Sequence, residues 1–281
     1  LLPRLLRPCD WLALAYFAYT SLLSVTLPVA PAVTSRVLIT NLAVALFLLA
    51  RHALRKPWQQ VLHNFLMLSL LLVGYQEMGW FALPRHGSAL EQAWVVWDRY
   101  LLDTLRLRAL IESAGWLIPI ILEISYSLVY TIGSIALALL YYYRRGEQVP
   151  RFLCCLFAGT FLAYALFPFF PSEPPRTVFP ETDLPSYQSA FRGFNYWLLG
   201  NWGIHTSVFP SAHVSSAFAA AFALRRLLPE PRWVWRATAV LASLIALSTI
   251  YGRYHYAVDA LAGFAIAAVS VPVTLRMLKN S

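Results

Sequence analysis

The chain has 281 residues, of which 59% are hydrophobic and only 12% charged, with a formal net charge of +9. That composition is too apolar for a water-soluble domain of this length. The basic excess lies in short stretches between apolar ones, which argues against nucleic acid as a partner. The three cysteines, two of them adjacent at Cys154 and Cys155, suggest neither a disulfide framework nor a zinc site.

A helix needs about 17–25 apolar residues to cross about 30 Å of hydrocarbon, and such windows recur along almost the whole chain. Eight spans are expected, at 11–30, 36–51, 61–82, 117–143, 152–170, 210–228, 233–250 and 255–277. The fold class is therefore all-α: a polytopic membrane helical bundle forming one membrane-embedded domain over residues 1–281. Between the third and fourth spans, residues 94–113 mix apolar and charged side chains. A further crossing there would bury Asp98, Arg99, Asp103, Arg106 and Arg108 at about 2.5–3.5 kcal/mol each, so the segment is expected to be an interfacial helix. With the N-terminus in the cytoplasm, most of the 22 Lys and Arg residues fall on cytoplasmic ends and loops. The expected topology then has both termini cytoplasmic and puts loops 83–116, 171–209 and 251–254 on the extracytoplasmic side.

Three segments on that side carry polar groups that a lipid-facing helix would not keep. The first, PSEPPRTVFP (171–180), follows the fifth span and offers Arg176, whose guanidinium is a fork of donors suited to phosphate. The second, PSAH (210–213), opens the sixth span. There Ser211 caps a helix whose free N–H groups and dipole favour an anion, and His213 stands ready to donate a proton. The third, STIYGRYHYAVDALAG (248–263), joins the last two spans. His255 and Asp259 are four residues apart at a helix start, so the carboxylate can fix the imidazole tautomer and leave one nitrogen free to attack. Arg253, two residues earlier, is a second candidate for the same anion. Taken alone, each arginine reads as an interfacial anchor, and the His–Asp pair reads equally as a self-satisfied buried contact.

Together these segments resemble the three signature motifs of the type 2 phosphatidic acid phosphatase superfamily, KxxxxxxRP, PSGH and SRxxxxxHxxxD. Ala212 replaces the glycine of the second motif, and Thr249 replaces the arginine of the third, whose serine, histidine and aspartate keep their spacing. Phe169 holds the place of the first motif's lysine, and PSEPPR is similar to the inositol phosphorylceramide synthase branch, whose members transfer a phosphorylated head group.

The resemblance covers roughly residues 117–277. It implies a six-helix-type phosphatase core there, with residues 1–116 as N-terminal spans and interfacial segment. It also implies His255 as nucleophile, Asp259 as its orienter and His213 as acid and base. Arg176, Arg253, Ser211 and the Ala212 backbone would hold phosphate, with no metal and no cofactor. The expected substrate is a phosphorylated membrane lipid, and the acceptor is either water or an alcohol such as inositol. Glu123, Tyr126 and His205 are candidate contacts to a head group. Glu77, like Glu123, is an acid inside an expected span and so either a site candidate or a hydrogen-bond partner of a neighbouring helix through Tyr75, Tyr126 or Tyr130, and residues 171–209 are rich enough in aromatics to rest on the membrane surface. A lipid or anion transporter without turnover is the reading from another class, and a member that binds lipid phosphate without cleaving it is a third.

Overall fold

The structure, a computed structural model, describes residues 6–81, 87–180, 183–204 and 207–279. Among them no strand occurs, and helices follow in the order α1 (Pro8–Thr26), α2 (Pro31–Ala50), α3 (Pro57–Leu66), α4 (Ser69–Trp80), α5 (Ala89–Arg99), α6 (Leu107–Glu112) and α7 (Leu117–Leu128). Then come α8 (Ile132–Tyr142), α9 (Val149–Leu166), the single turn α10 (Pro175–Val178), α11 (Ala190–Trp202), α12 (Ala212–Leu227), α13 (Arg232–Tyr251) and α14 (Ala257–Met277). Pro8, Pro31 and Pro57 each open a helix, where a missing N–H costs no hydrogen bond and the fixed φ suits the first turn.

Among the described residues, five stretches are long and apolar enough to cross a membrane: Pro31–Ala53, Pro57–Trp80, Gly146–Phe169, Arg232–Tyr251 and Ala257–Met277. The expected fourth span is not one straight rod. It is the pair α7 and α8, bent by 73° at a short break. The expected first and sixth spans, α1 and α12, are helices but fall outside that group. α12 has only 16 residues, and α1 carries Asp10, Thr20 and Ser24 buried on its protein-facing side. A helix enclosed by other helices does not need the length or uniform apolarity that lipid demands.

α12 is the enclosed one. α9, α13 and α14 pack around it, and its alanines at 217, 219, 220, 221 and 223 are buried. Small residues let the backbones approach: a Cβ on Gly159 of α9 would lie 2.8 Å from the Ala219 Cβ. A Cβ on Gly263 of α14 would lie 2.3 Å from the Ser211 carbonyl oxygen. α14 is thereby held against the very start of α12, which places the second and third polar segments side by side.

Residues 94–113 do not cross the bundle. α5 runs through Arg99 into a π-helical turn at Tyr100–Thr104, and Arg106, in the left-handed region at φ 57°, starts α6 in a new direction. Trp97 and Val96 are exposed while Glu91, Val95 and Asp98 are buried, so α5 is two-faced, as an interfacial helix should be.

Candidate active site

His255 sits in the short loop between α13 and α14 and is 6% exposed. Its Nδ1 lies 2.9 Å from the Val208 carbonyl oxygen and 3.3 Å from Asp259 Oδ2. A carbonyl only accepts, so Nδ1 carries the proton and Nε2 presents its lone pair. Asp259 is fixed in turn as the cap of α14, where its Oδ2 accepts the Tyr256 N–H at 2.9 Å. Burial, the neighbouring His213 ring and the Arg176 cation, in that order, push the His255 pKa well below the ordinary imidazole value, so the ring stays neutral.

His213 stands on the first turn of α12 with its Nδ1 3.4 Å from His255 Nε2. Its other nitrogen, Nε2, is 3.3 Å from the Tyr130 hydroxyl. With Tyr130 donating to Nε2, His213 Nδ1–H points at the His255 lone pair. One proton arrangement therefore satisfies Tyr130, His213, His255 and Val208 in sequence. Tyr130 lies in the break between α7 and α8 and is 47% exposed, so the site opens on that side.

Ser211 caps α12, its Oγ accepting from Val214 N at 3.4 Å, and its own N–H donates to the Asp259 carbonyl at 2.9 Å. The N–H groups of Ala212 and His213 meet no acceptor among the described residues, which leaves two donors and the positive end of the α12 dipole at the helix turn that carries His213. Arg176 is half-buried at α10. Its Nη1 donates to the Tyr254 carbonyl at 3.4 Å, and its guanidinium lies 5.5 Å from the Tyr254 ring centre. Among the described residues it has no carboxylate partner, and its charge is felt at both histidines. The structure thus gathers His255, His213, Asp259, Ser211, Ala212 and Arg176 in one place. An anion there would meet a cation, two backbone donors and a neutral imidazole lone pair.

The remaining expected residues are placed otherwise. Arg253 is fully buried at φ 64°, and its guanidinium is taken up by Asp98 Oδ2 at 2.5 Å and Asp183 Oδ2 at 3.4 Å. Glu123 is also committed: Oε1 accepts from Arg192 at 2.9 Å, and Oε2 accepts from Asn195 at 2.8 Å and the Tyr254 hydroxyl at 2.6 Å. Tyr126 is 1% exposed. Its ring stacks on Tyr254 at 4.0 Å and on His213 at 5.2 Å, so it supports the imidazole from behind. His205 lies outside the described residues.

Arg192, Asn195 and the Val208 carbonyl are not among the residues expected from the sequence, and Tyr130, expected only as a partner of a buried acid, stands at His213 instead. Arg192 and Asn195 are three apart on α11, a polar pair on one face of an aromatic-rich helix, and that spacing was a readable signal of a shared partner. Nothing local marks Val208 or turns Tyr130 toward His213.

The sequence profile of the PAP2 superfamily matches residues 95–273, well over half of the chain. This protein belongs to the PAP2 superfamily. The PAP2 match begins within α5, earlier than the three motifs alone would suggest. A PA-phosphatase related-family protein from Dictyostelium discoideum is 29% identical over 138 residues, covering 47% of this chain and 23% of that protein. The chain therefore spans under a quarter of that relative's length. No solved structure matches this PAP2 member.

Proposed function

We propose that this PAP2 protein is an integral membrane phosphatase or phosphotransferase that acts on a phosphorylated lipid through a histidine nucleophile, without a metal. The observation that carries this reading is the facing pair His255 Nε2 and His213 Nδ1, with the far nitrogen of His255 held by Val208 and Asp259.

In the first step His255 Nε2 attacks phosphorus and the bond from phosphorus to the lipid oxygen breaks. His213 takes up a second proton as the phosphate anion binds, its Nε2–H then donating to Tyr130, so that when the departing oxygen takes the Nδ1 proton a neutral imidazole remains. In the second step His213 Nδ1 removes a proton from water or an alcohol, whose oxygen attacks the phosphohistidine and returns the electron pair to Nε2. Arg176 and the amides of Ala212 and His213 hold the equatorial oxygens, and Ser211 fixes the helix start that aims those amides. This is electrostatic stabilisation aimed at the charge of the transferring group. The phosphoryl group enters by parting the two rings from the open, Tyr130 side. The distribution of Lys and Arg favours an extracytoplasmic site with both termini cytoplasmic.

The name of the Dictyostelium relative, a PA-phosphatase related-family protein, makes phosphatidic acid the first substrate to try. The PSEPPR segment favours a second reading in which an alcohol such as inositol accepts the head group. Protein in nanodiscs is incubated with labelled phosphatidic acid and with a labelled phosphodiester lipid, with and without inositol and with EDTA throughout. Phosphate release that ignores inositol selects the hydrolase, and label appearing on inositol selects the transferase. Turnover that survives His255→Ala refutes the nucleophile, and lipid or anion flux in vesicles without any turnover selects the transporter.

A further inference from the structure

One face of α5 touches all three motif segments. Glu91, Trp94 and Asp98 follow the i, i+3, i+7 spacing that puts residues on one side of a helix. Glu91 Oε1 accepts the Glu173 N–H at 3.0 Å, in the segment that carries Arg176. The Trp94 ring stacks on Phe209 at 5.3 Å, directly before Pro210 and Ser211, and meets Tyr256 edge-on at 5.6 Å. Asp98 Oδ2 takes the Arg253 guanidinium and Oδ1 accepts the Ala257 N–H at 2.8 Å.

These last two contacts flank His255 by two residues on either side. A single carboxylate therefore pins both ends of the short backbone stretch that carries the imidazole. Glu91 is 1% exposed and Asp98 is fully buried, so neither group is a solvated surface charge. A buried carboxylate is costly unless it is paired, and burial raises the Asp98 pKa while Arg253 and the Ala257 amide oppose the rise. Contacts to the three segments reach residues 82, 115 and 155 positions away in sequence, and one rigid helix face spans them all.

We propose that this face of α5 is a brace that sets the relative positions of the three motif segments, and that Asp98 is the positioning residue for His255. Arg253 then belongs to the brace and not to the phosphate site. Asp98 reaches substrate only through the backbone it holds. The catalytic consequence rests on the proposed function; the brace itself does not.

Hydrogen–deuterium exchange on the full chain in nanodiscs tests the brace without any substrate. Asp98→Asn and Trp94→Ala are each expected to speed amide exchange at least five-fold in all three segments, 172–177, 207–214 and 252–257, with α9 unchanged. Faster exchange confined to the segment each side chain touches, or spread through α9 as well, overturns the proposal. If Trp94→Ala does not fold, Trp94→Phe, which keeps a stacking ring, is paired with Glu91→Gln.

With turnover in hand, Asp98→Asn is expected to lower kcat about 10- to 100-fold, the scale of a displaced catalytic group, while KM moves less than two-fold. Asp98→Asn combined with Arg253→Gln replaces the ion pair by a neutral hydrogen-bonded pair and is expected to recover at least ten-fold of the lost kcat. If Arg253→Gln instead raises KM and weakens inhibition by inorganic phosphate, and the double variant shows no recovery, Arg253 is a phosphate ligand and the brace assignment fails. Wild-type protein inactive on every phosphorylated lipid would count against the proposed function, and the exchange pattern would still decide the brace.

Discussion

A methyl group at Gly263 has no room. Built on the backbone, the Cβ falls 2.3 Å from the Ser211 carbonyl oxygen and 3.2 Å from the Ser215 nitrogen, both of them main-chain atoms that cannot swing aside. Non-bonded heavy atoms settle at about 3.5 Å, so Gly263→Ala must part α14 from the first turn of α12 by about 1 Å. The cost as overpacking is about 1–3 kcal/mol of stability. The cost to the proposed chemistry is larger in kind, because His213 rides on α12 while His255 and Asp259 are fixed to the start of α14. Their 3.4 Å contact would open by a similar amount, and a misplacement of about 1 Å lowers kcat about 100-fold, equal to about 2.7 kcal/mol of transition-state stabilisation. The thermal unfolding midpoint in detergent measures the first effect, and phosphate release from phosphatidic acid in nanodiscs measures the second. Gly200→Ala is the control, since nothing lies within 4 Å of that site. Gly263→Ala with kcat within two-fold of wild type would refute the claim that this close approach sets the distance between the two histidines.

Tyr130→Phe removes the hydroxyl that faces His213 Nε2 and is expected to lower kcat about ten-fold with unchanged phosphate affinity; an unchanged kcat would exclude a role in fixing the His213 tautomer. Glu123→Ala leaves Arg192, 1% exposed, without its carboxylate and is expected to cost about 3–5 kcal/mol, seen as a lowered unfolding midpoint, with no shift if the pair is not formed. His255 is held below its ordinary value of about 6.5, so its stabilising contribution is fully present above that pH and is lost as pH falls through the depressed folded pKa. The acid limb of kcat/KM is accordingly expected below pH 6.5. Arg176→Gln, which removes one of the charges that depress His255, is expected to move that limb upward; a limb that stays in place would show that the Arg176 charge does not reach the ring.

How much of this was legible in the sequence differs from element to element. The four-residue spacing of His255 and Asp259 and the cap at Ser211 are properties of a single helix turn, so the chain states them locally. Hydropathy located the helices, but it cannot separate a lipid-facing helix from one enclosed by protein, and α12 looked like an ordinary span although its alanines face other helices. The break between α7 and α8, which brings Tyr130 to His213, has no proline to announce it. The charges of residues 94–113 rightly argued against a crossing, yet nothing nearby in sequence showed that Asp98 answers Arg253.

The sequence by itself determined an all-α membrane protein, the three motif segments and the order of groups within each. Tertiary structure alone decided which arginine remains available to an anion. Arg176 and Arg253 are chemically identical and lie on neighbouring loops. One is half-buried with no described carboxylate, and the other is fully buried between Asp98 and Asp183, 155 and 70 residues away. Helix periodicity encodes neighbours within a few residues; partners at such separations are set by which helices pack together.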